Sequence, residues 1–271
     1  MWYMNNCSEE VQRGKVLMGQ GVAVSNASGT TTPNYVIQGR TVSLPAVVRD
    51  ATAMSAMFVV SASAVRRLIG HPGLHVPELF PGRTLCMIAG IEYRDNDLGQ
   101  CNEVSINFFV KYGGTRPTPL FGLLSGIRTR EVGAYVHRLP VTTSFSRDAG
   151  REIWGFPKTV DEIEFREEED RRICRLVGNG THAFTLSVAR GGRRRMKDMA
   201  LDAYVQREGK VWKTASVMGG EDAGTRLGGA SITLGAHAIA DELRSLGLPK
   251  PPLMSTWIGK MWATFDVPKQ L

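Results

Sequence analysis

Two apolar runs, RTLCMIAGIEYRD (83–95) and NEVSINFFVKYG (102–113), are separated only by the polar turn NDLGQC. So short a connection reverses the chain, and the two runs are expected to pair as antiparallel strands. The same grammar recurs downstream. EVGAYVHRLPVT (131–142) reads as a strand, and TVDEIEFREE with RRICRLVGNGTHAFTLSVAR reads as a meander whose Asn179-Gly180 pair is a strong hairpin signal. Upstream, residues 34–50 alternate well enough for one or two strands broken at Gly39 and Pro45, and MSTWIGKMWATF predicts a last strand. Helices are expected near 61–70, capped by Ser61 or Ser63 and stopped by Gly70 and Pro72, and within 234–252, where Ile239, Leu243 and Leu246 share a face. With seven or more strands, two or three helices and no alternating βαβ rhythm, the fold class is mainly antiparallel β with a few helices. Residues 1–33, rich in Gly, Ser, Thr and Asn toward their end, predict a loosely ordered arm before a single domain over 34–271.

Several function classes find no support. The net charge of +7 would suit nucleic acid or acidic lipid, but its main cluster, RGGRRRMK (190–197), has flanking glycines and no interleaved aromatics, and reads as a solvated loop. The acidic run EEED (167–170) adjoins Arg171 and Arg172 and predicts an exposed, charge-paired tip. His71 and His75 have Pro72 and Gly73 between them, so no helix presents both rings to a metal. GGEDAGTRLGG (219–229) lacks the strand-then-helix context of a phosphate cradle, and no motif calls for a nucleotide, flavin or metal. The four cysteines are widely spaced with no CxxC pair, MWYMNNCSEEVQRGK lacks the apolar run of a signal peptide, and no stretch is long enough to span a bilayer. The expectation is a cytoplasmic protein, without cofactor, that binds neither nucleic acid nor membrane.

One segment remains unexplained by packing. REIWGFPK (151–158) ends in a lysine that its apolar neighbours Ile153, Trp154, Phe156 and Pro157 give no charge partner. An amine nucleophile must be unprotonated, whereas an ordinary lysine, with a pKa of about 10.4, is ammonium at neutral pH. Surroundings such as Trp154 and Phe156 work toward the neutral form, because desolvation penalises the charged one. A lysine so placed can add to a ketone and form a Schiff base. The alternative is a lysine whose stem snorkels to solvent.

AGREIWGFPK resembles the Schiff-base segment of the acetoacetate decarboxylase family, in which this pattern ends at the reactive lysine. YRDNDLGQCNEVSINFFV is similar to the family's turn and strand carrying an active-site glutamate, AYVHRLPVTT to the strand before the lysine, and HAIADELRSLGLP to its C-terminal helix. Together these segments span roughly residues 35–265. The resemblance implies a conical β-barrel, a homo-oligomer, Lys158 as the nucleophile and Glu103 as the glutamate that manages charge or protons. It also implies Trp154 and Phe156 around the substrate and an arginine for its carboxylate, with Arg40 and Arg49 both in range.

Two departures bear on the reaction. The decarboxylases proper follow the reactive lysine with a second lysine that depresses its pKa; here Thr159 stands there. Their second glutamate, expected near Cys86–Ile88, has no counterpart, and Glu92 does not align. Activation then falls to desolvation, with Arg147 or Arg151 as possible aids. Three readings stay open: cofactor-independent decarboxylation of a small β-keto acid, an aldolase or dehydratase acting on oxo acids through the same imine, and a non-catalytic carbonyl-ligand binding protein.

Overall fold

The computed structural model describes residues 22–24, 32–114 and 121–271. Within the expected arm, β1 (Val22–Val24) pairs with β2 (Thr32–Ile37), which turns at Gln38-Gly39 into β3 (Arg40–Ser43); the rest of the arm lies outside the described residues. Two long strands follow around a helix: β4 (Ala46–Ser61), α1 (Ala62–Ile69), the short β5 (Leu74–His75) and β6 (Arg83–Asn96). The anticipated hairpin joins β6 to β7 (Cys101–Tyr112) and sets Tyr93 opposite Cys101 and Ile91 opposite Glu103. Next come α2 (Phe121–Thr129), β8 (Val132–Val141), α3 (Ser144–Ala149), a π-helical turn (Gly150–Trp154) and β9 (Lys158–Val160). The meander is β10 (Glu162–Glu168), β11 (Arg171–Gly178) and β12 (Thr181–Ala189). The chain ends with β13 (Arg194–Arg207), β14 (Lys210–Leu227), β15 (Ala230–Leu234), α4 (Ala238–Ser245), β16 (Met254–Phe265) and β17 (Lys269–Gln270).

Seven of these strands close on themselves. The order β7-β6-β4-β16-β14-β13-β8 returns to β7 through the β7–β8 pairing, and β5, β9 and β17 add to its rim. All barrel pairings are antiparallel except β8 with β13, where only Ala134 and Tyr135 find partners, Ala203 and Tyr204. A second sheet, β10-β11-β12-β15, packs with α1 and α4 against the outer face of β4, β6 and β7. Phe58, Ile88, Ile106 and Phe108 meet Leu176, Phe184 and Leu186 there. Gly90 permits this approach, since a side chain there would press on the Phe165 ring and the Cys174 sulfur. Strands β4, β6 and β7 are thus covered on both faces, which is why β7 is buried almost without alternation.

The fold is mostly β with few helices, as the turn spacing predicts. The helices at 62–69 and 238–245 fall within the expected segments, capped by the Ser61 and His237 side chains. Helices α2 and α3 and the π turn are additions. The basic segment 190–197 corrects the loop reading: β13 begins at Arg194, and the missing aromatics come from β16, with Arg190 over Trp257 and Arg195 over Trp262. Of the five glycines in 219–229, Gly219, Gly220 and Gly224 lie within β14, and Gly228 and Gly229 follow its end. At the acidic tip, Glu167 pairs with Arg172 and Arg190. Among the described residues no helix is long and apolar enough to cross a membrane.

Candidate active site

The segment that delivers Lys158 is built by local signals. Thr143 caps α3, its hydroxyl accepting from the Ser146 amide. The helix then widens into the π turn, which buries Ile153 and Trp154 together. Gly155, at φ +72°, ends it in the left-handed conformation, and the Phe156 amide bonds back to the Gly150 carbonyl at 3.0 Å. Pro157 cannot continue a helix, and Lys158 enters β9 beside Leu139 of β8. Arg151 fastens this exit by donating from Nε to the Lys158 carbonyl at 2.6 Å.

The lysine stem runs inward across the Cα of Gly150. A methyl group there would sit 2.5 Å from Lys158 Cδ and 2.7 Å from Cε, so only glycine admits the side chain on this path. Its Nζ lies 2.9 Å from Glu103 Oε2 and donates to Ser146 Oγ at 3.0 Å. Both side chains of the ion pair are under 10% exposed. Tyr93 donates its hydroxyl to the other Glu103 oxygen at 3.0 Å; burial, then the adjacent Glu103 charge, push that phenol well above its usual pKa, so it stays a donor. The Cys101 thiol, opposite Tyr93, is also pushed up, by burial first and by Glu103 second.

These groups face a cavity of about 420 Å³ inside the barrel. Trp154 and Phe156 line it, their rings stacked 5.9 Å apart, and Trp154 Nε1 donates to the Asp266 carbonyl at 2.9 Å. Lys158, Glu103, Trp154 and Phe156 are therefore brought together. The two arginines are not. Arg49 stands on the exposed side of β4, paired with Asp95 and Asp97 at 2.7 Å each, and Arg40 lies over the Phe145 ring, 4.0 Å from its centroid. Neither lines the cavity: Arg49 is on the exposed side of β4, and β3, which carries Arg40, belongs to a separate sheet with β1 and β2. Glu92 is likewise turned outward, toward Arg172 at 2.6 Å, and Arg147 pairs with Asp148.

Three contributors escape the sequence reading: Tyr93, Ser146 and the pairing of Lys158 with Glu103. The first had a signal, since closing the hairpin through 96–101 places Tyr93 next to Glu103 on one face. The others depend on how the α3–π segment folds over the barrel mouth, which no spacing encodes.

Comparisons with known proteins bear on the whole arrangement. Residues 31–266 match the model of the acetoacetate decarboxylase (ADC) family. Acetoacetate decarboxylase from Legionella pneumophila subsp. pneumophila str. Philadelphia 1 superimposes with a TM-score of 0.60 at 17% identity, over 84% of this chain and 87% of that one. The enduracididine biosynthesis enzyme MppR complexed with pyruvate gives 0.55 at 15% identity, over 93% and 98%. An acetoacetate decarboxylase-like enzyme from Sphingomonas wittichii RW1 gives 0.51 at 11%, over 83% and 91%. None of the curated proteins matches the sequence.

Proposed function

Because the chain belongs to the acetoacetate decarboxylase family, we propose that it decarboxylates a β-keto acid without an external cofactor, through an imine on Lys158. The observation that carries this reading is the Lys158–Glu103 pair enclosed in an otherwise largely apolar cavity. Burying two ionisable groups costs several kcal/mol per ion before their attraction is counted, and apolar residues would be as stable or more so. Such a pair is expected where chemistry needs it.

The contacts support the following course. Glu103 takes a proton from Lys158 Nζ, whose lone pair adds to the ketone carbon. Glu103 delivers that proton to the carbinolamine oxygen and then relays a second one from the nitrogen to the same oxygen, so that water leaves and a protonated imine remains. Its C=N bond accepts the electron pair of the breaking C–C bond as CO2 departs. The enamine so formed takes a proton at carbon, and water hydrolyses the imine to release the ketone and restore the amine. Tyr93 keeps Glu103 oriented through Oε1, Ser146 holds Nζ, and Trp154 and Phe156 exclude water.

The test pairs borohydride trapping with product analysis. A 3-oxo acid is expected to leave a reduced adduct on Lys158 and to release CO2 in its absence, and Lys158→Ala to do neither. Condensation of pyruvate with an aldehyde in place of CO2 release would identify the aldolase reading; trapping without any product would identify a binding protein. Undiminished CO2 release by Lys158→Ala would overturn the imine mechanism.

A further inference from the structure

The cavity extends well past the reacting amine. On β7 the inward residues after Glu103 are Ser105, Asn107 and Phe109, and Phe109 lies about 20 Å along the strand from Glu103 at roughly 3.3 Å per residue. Allowing for the usual strand tilt, that is about 15 Å along the barrel axis. The 420 Å³ cavity is thus a passage deep enough for an extended chain to follow. An extended chain advances about 1.2 Å per bond, as the polypeptide does over its three bonds per residue, so the passage holds about ten to twelve carbons.

Its walls match that shape. Met57, Met87, Phe109, Ile127 and Val132 line the half remote from Lys158, and methionines adapt readily to a flexible apolar guest. The polar groups along the way are engaged with one another. Asn107 Nδ2 donates to Ser105 Oγ at 2.9 Å, and at the remote end the buried Asp202 holds Arg130 at 2.6 Å and Lys213 at 3.2 Å. A four-carbon acid would leave most of this surface without contact. Resting on the decarboxylase reading above, we propose that the substrate is a 3-oxo acid with a long unbranched alkyl tail, its keto group at Lys158 and its tail among Met57, Met87 and Phe109.

The experiment is a length series. CO2 release from 3-oxo acids of four, eight and twelve carbons is compared with heat-stability shifts given by 2-butanone, 2-octanone and 2-dodecanone. At about 0.8 kcal/mol per buried methylene, kcat/KM is expected to rise up to about fourfold per carbon and level off near the length of the passage. The ketones are expected to stabilise in the same order. Ala89→Leu and Ala134→Leu, each narrowing the passage, are expected to move the optimum to shorter acids. A flat series, or one with the four-carbon acid best, would overturn the tail site whether or not either variant folds. Length-dependent stabilisation without CO2 from any acid would retain the tail site and overturn the decarboxylase reading instead.

Discussion

Lys158 and Glu103 sit 2.9 Å apart in a wall otherwise made largely of aliphatic and aromatic groups, and each makes the other tolerable there. Removing one member of a buried pair costs about 3–5 kcal/mol, because the survivor stays buried without its counter-charge. Lys158→Met should therefore lower stability by about that amount, and adding Glu103→Gln should recover most of it. Urea midpoints of the two single variants and the double variant test this; a double variant no more stable than Lys158→Met would show that the pair is not coupled. At this scale the lysine and its aromatic neighbours were legible, because they are adjacent in sequence. Glu103 was legible only through the family pattern. That it is the lysine's partner was not, since β7 and β9 meet only after β8 has been laid between them.

Among the elements, the helices tie the second sheet and the lysine segment to the barrel. Helix α4 is clasped to β8 by Glu242, which accepts from His137 at 3.0 Å and from Arg138. Burial pushes the Glu242 carboxyl up, but those two hydrogen bonds outweigh it and hold its pKa at about 2 instead of 4.5. A depressed carboxyl stabilises the fold fully above its unfolded value of 4.5, and the contribution is lost as pH falls toward 2. Allowing for partial solvent screening, wild type should lose about 1–2 kcal/mol more than Glu242→Gln between pH 5 and pH 2. Unfolding midpoints across that range read the difference directly, and parallel curves would remove Glu242 from the acid response. The cap and stop of α1 could be read from Ser61 and Gly70, and the end of α4 from Gly247, but not its His237 cap. The π turn could not, because its extra residue per turn has no sequence signal apart from the glycines that bound it.

For the molecule as a whole, the cavity exists only because the barrel closes, and closure is narrowest between β8 and β13. Two residue pairs join these strands, helped by the Arg130–Asp202 contact across the seam. Strand periodicity cannot reveal such a seam: the partners are some 70 residues apart, and the glycine-flanked arginines around the start of β13 suggest a loop. What the sequence does contain is Gly133. A side chain there would collide with the Asp202 carbonyl and come within 2.6 Å of the Tyr204 ring, so the strands can approach only if this position has none. Gly133→Val should force them apart at a cost of about 3 kcal/mol, at the upper end for overpacked interiors. If closure makes the cavity, the protein that remains folded at low temperature should also lose adduct formation at Lys158, although Gly133 is remote from the amine along β8. Urea midpoints and borohydride trapping on the same sample separate the two effects. Full trapping in a destabilised variant would mean that the lysine site assembles without the seam, and a native midpoint would mean that the close approach of β8 and β13 is not what shuts the barrel.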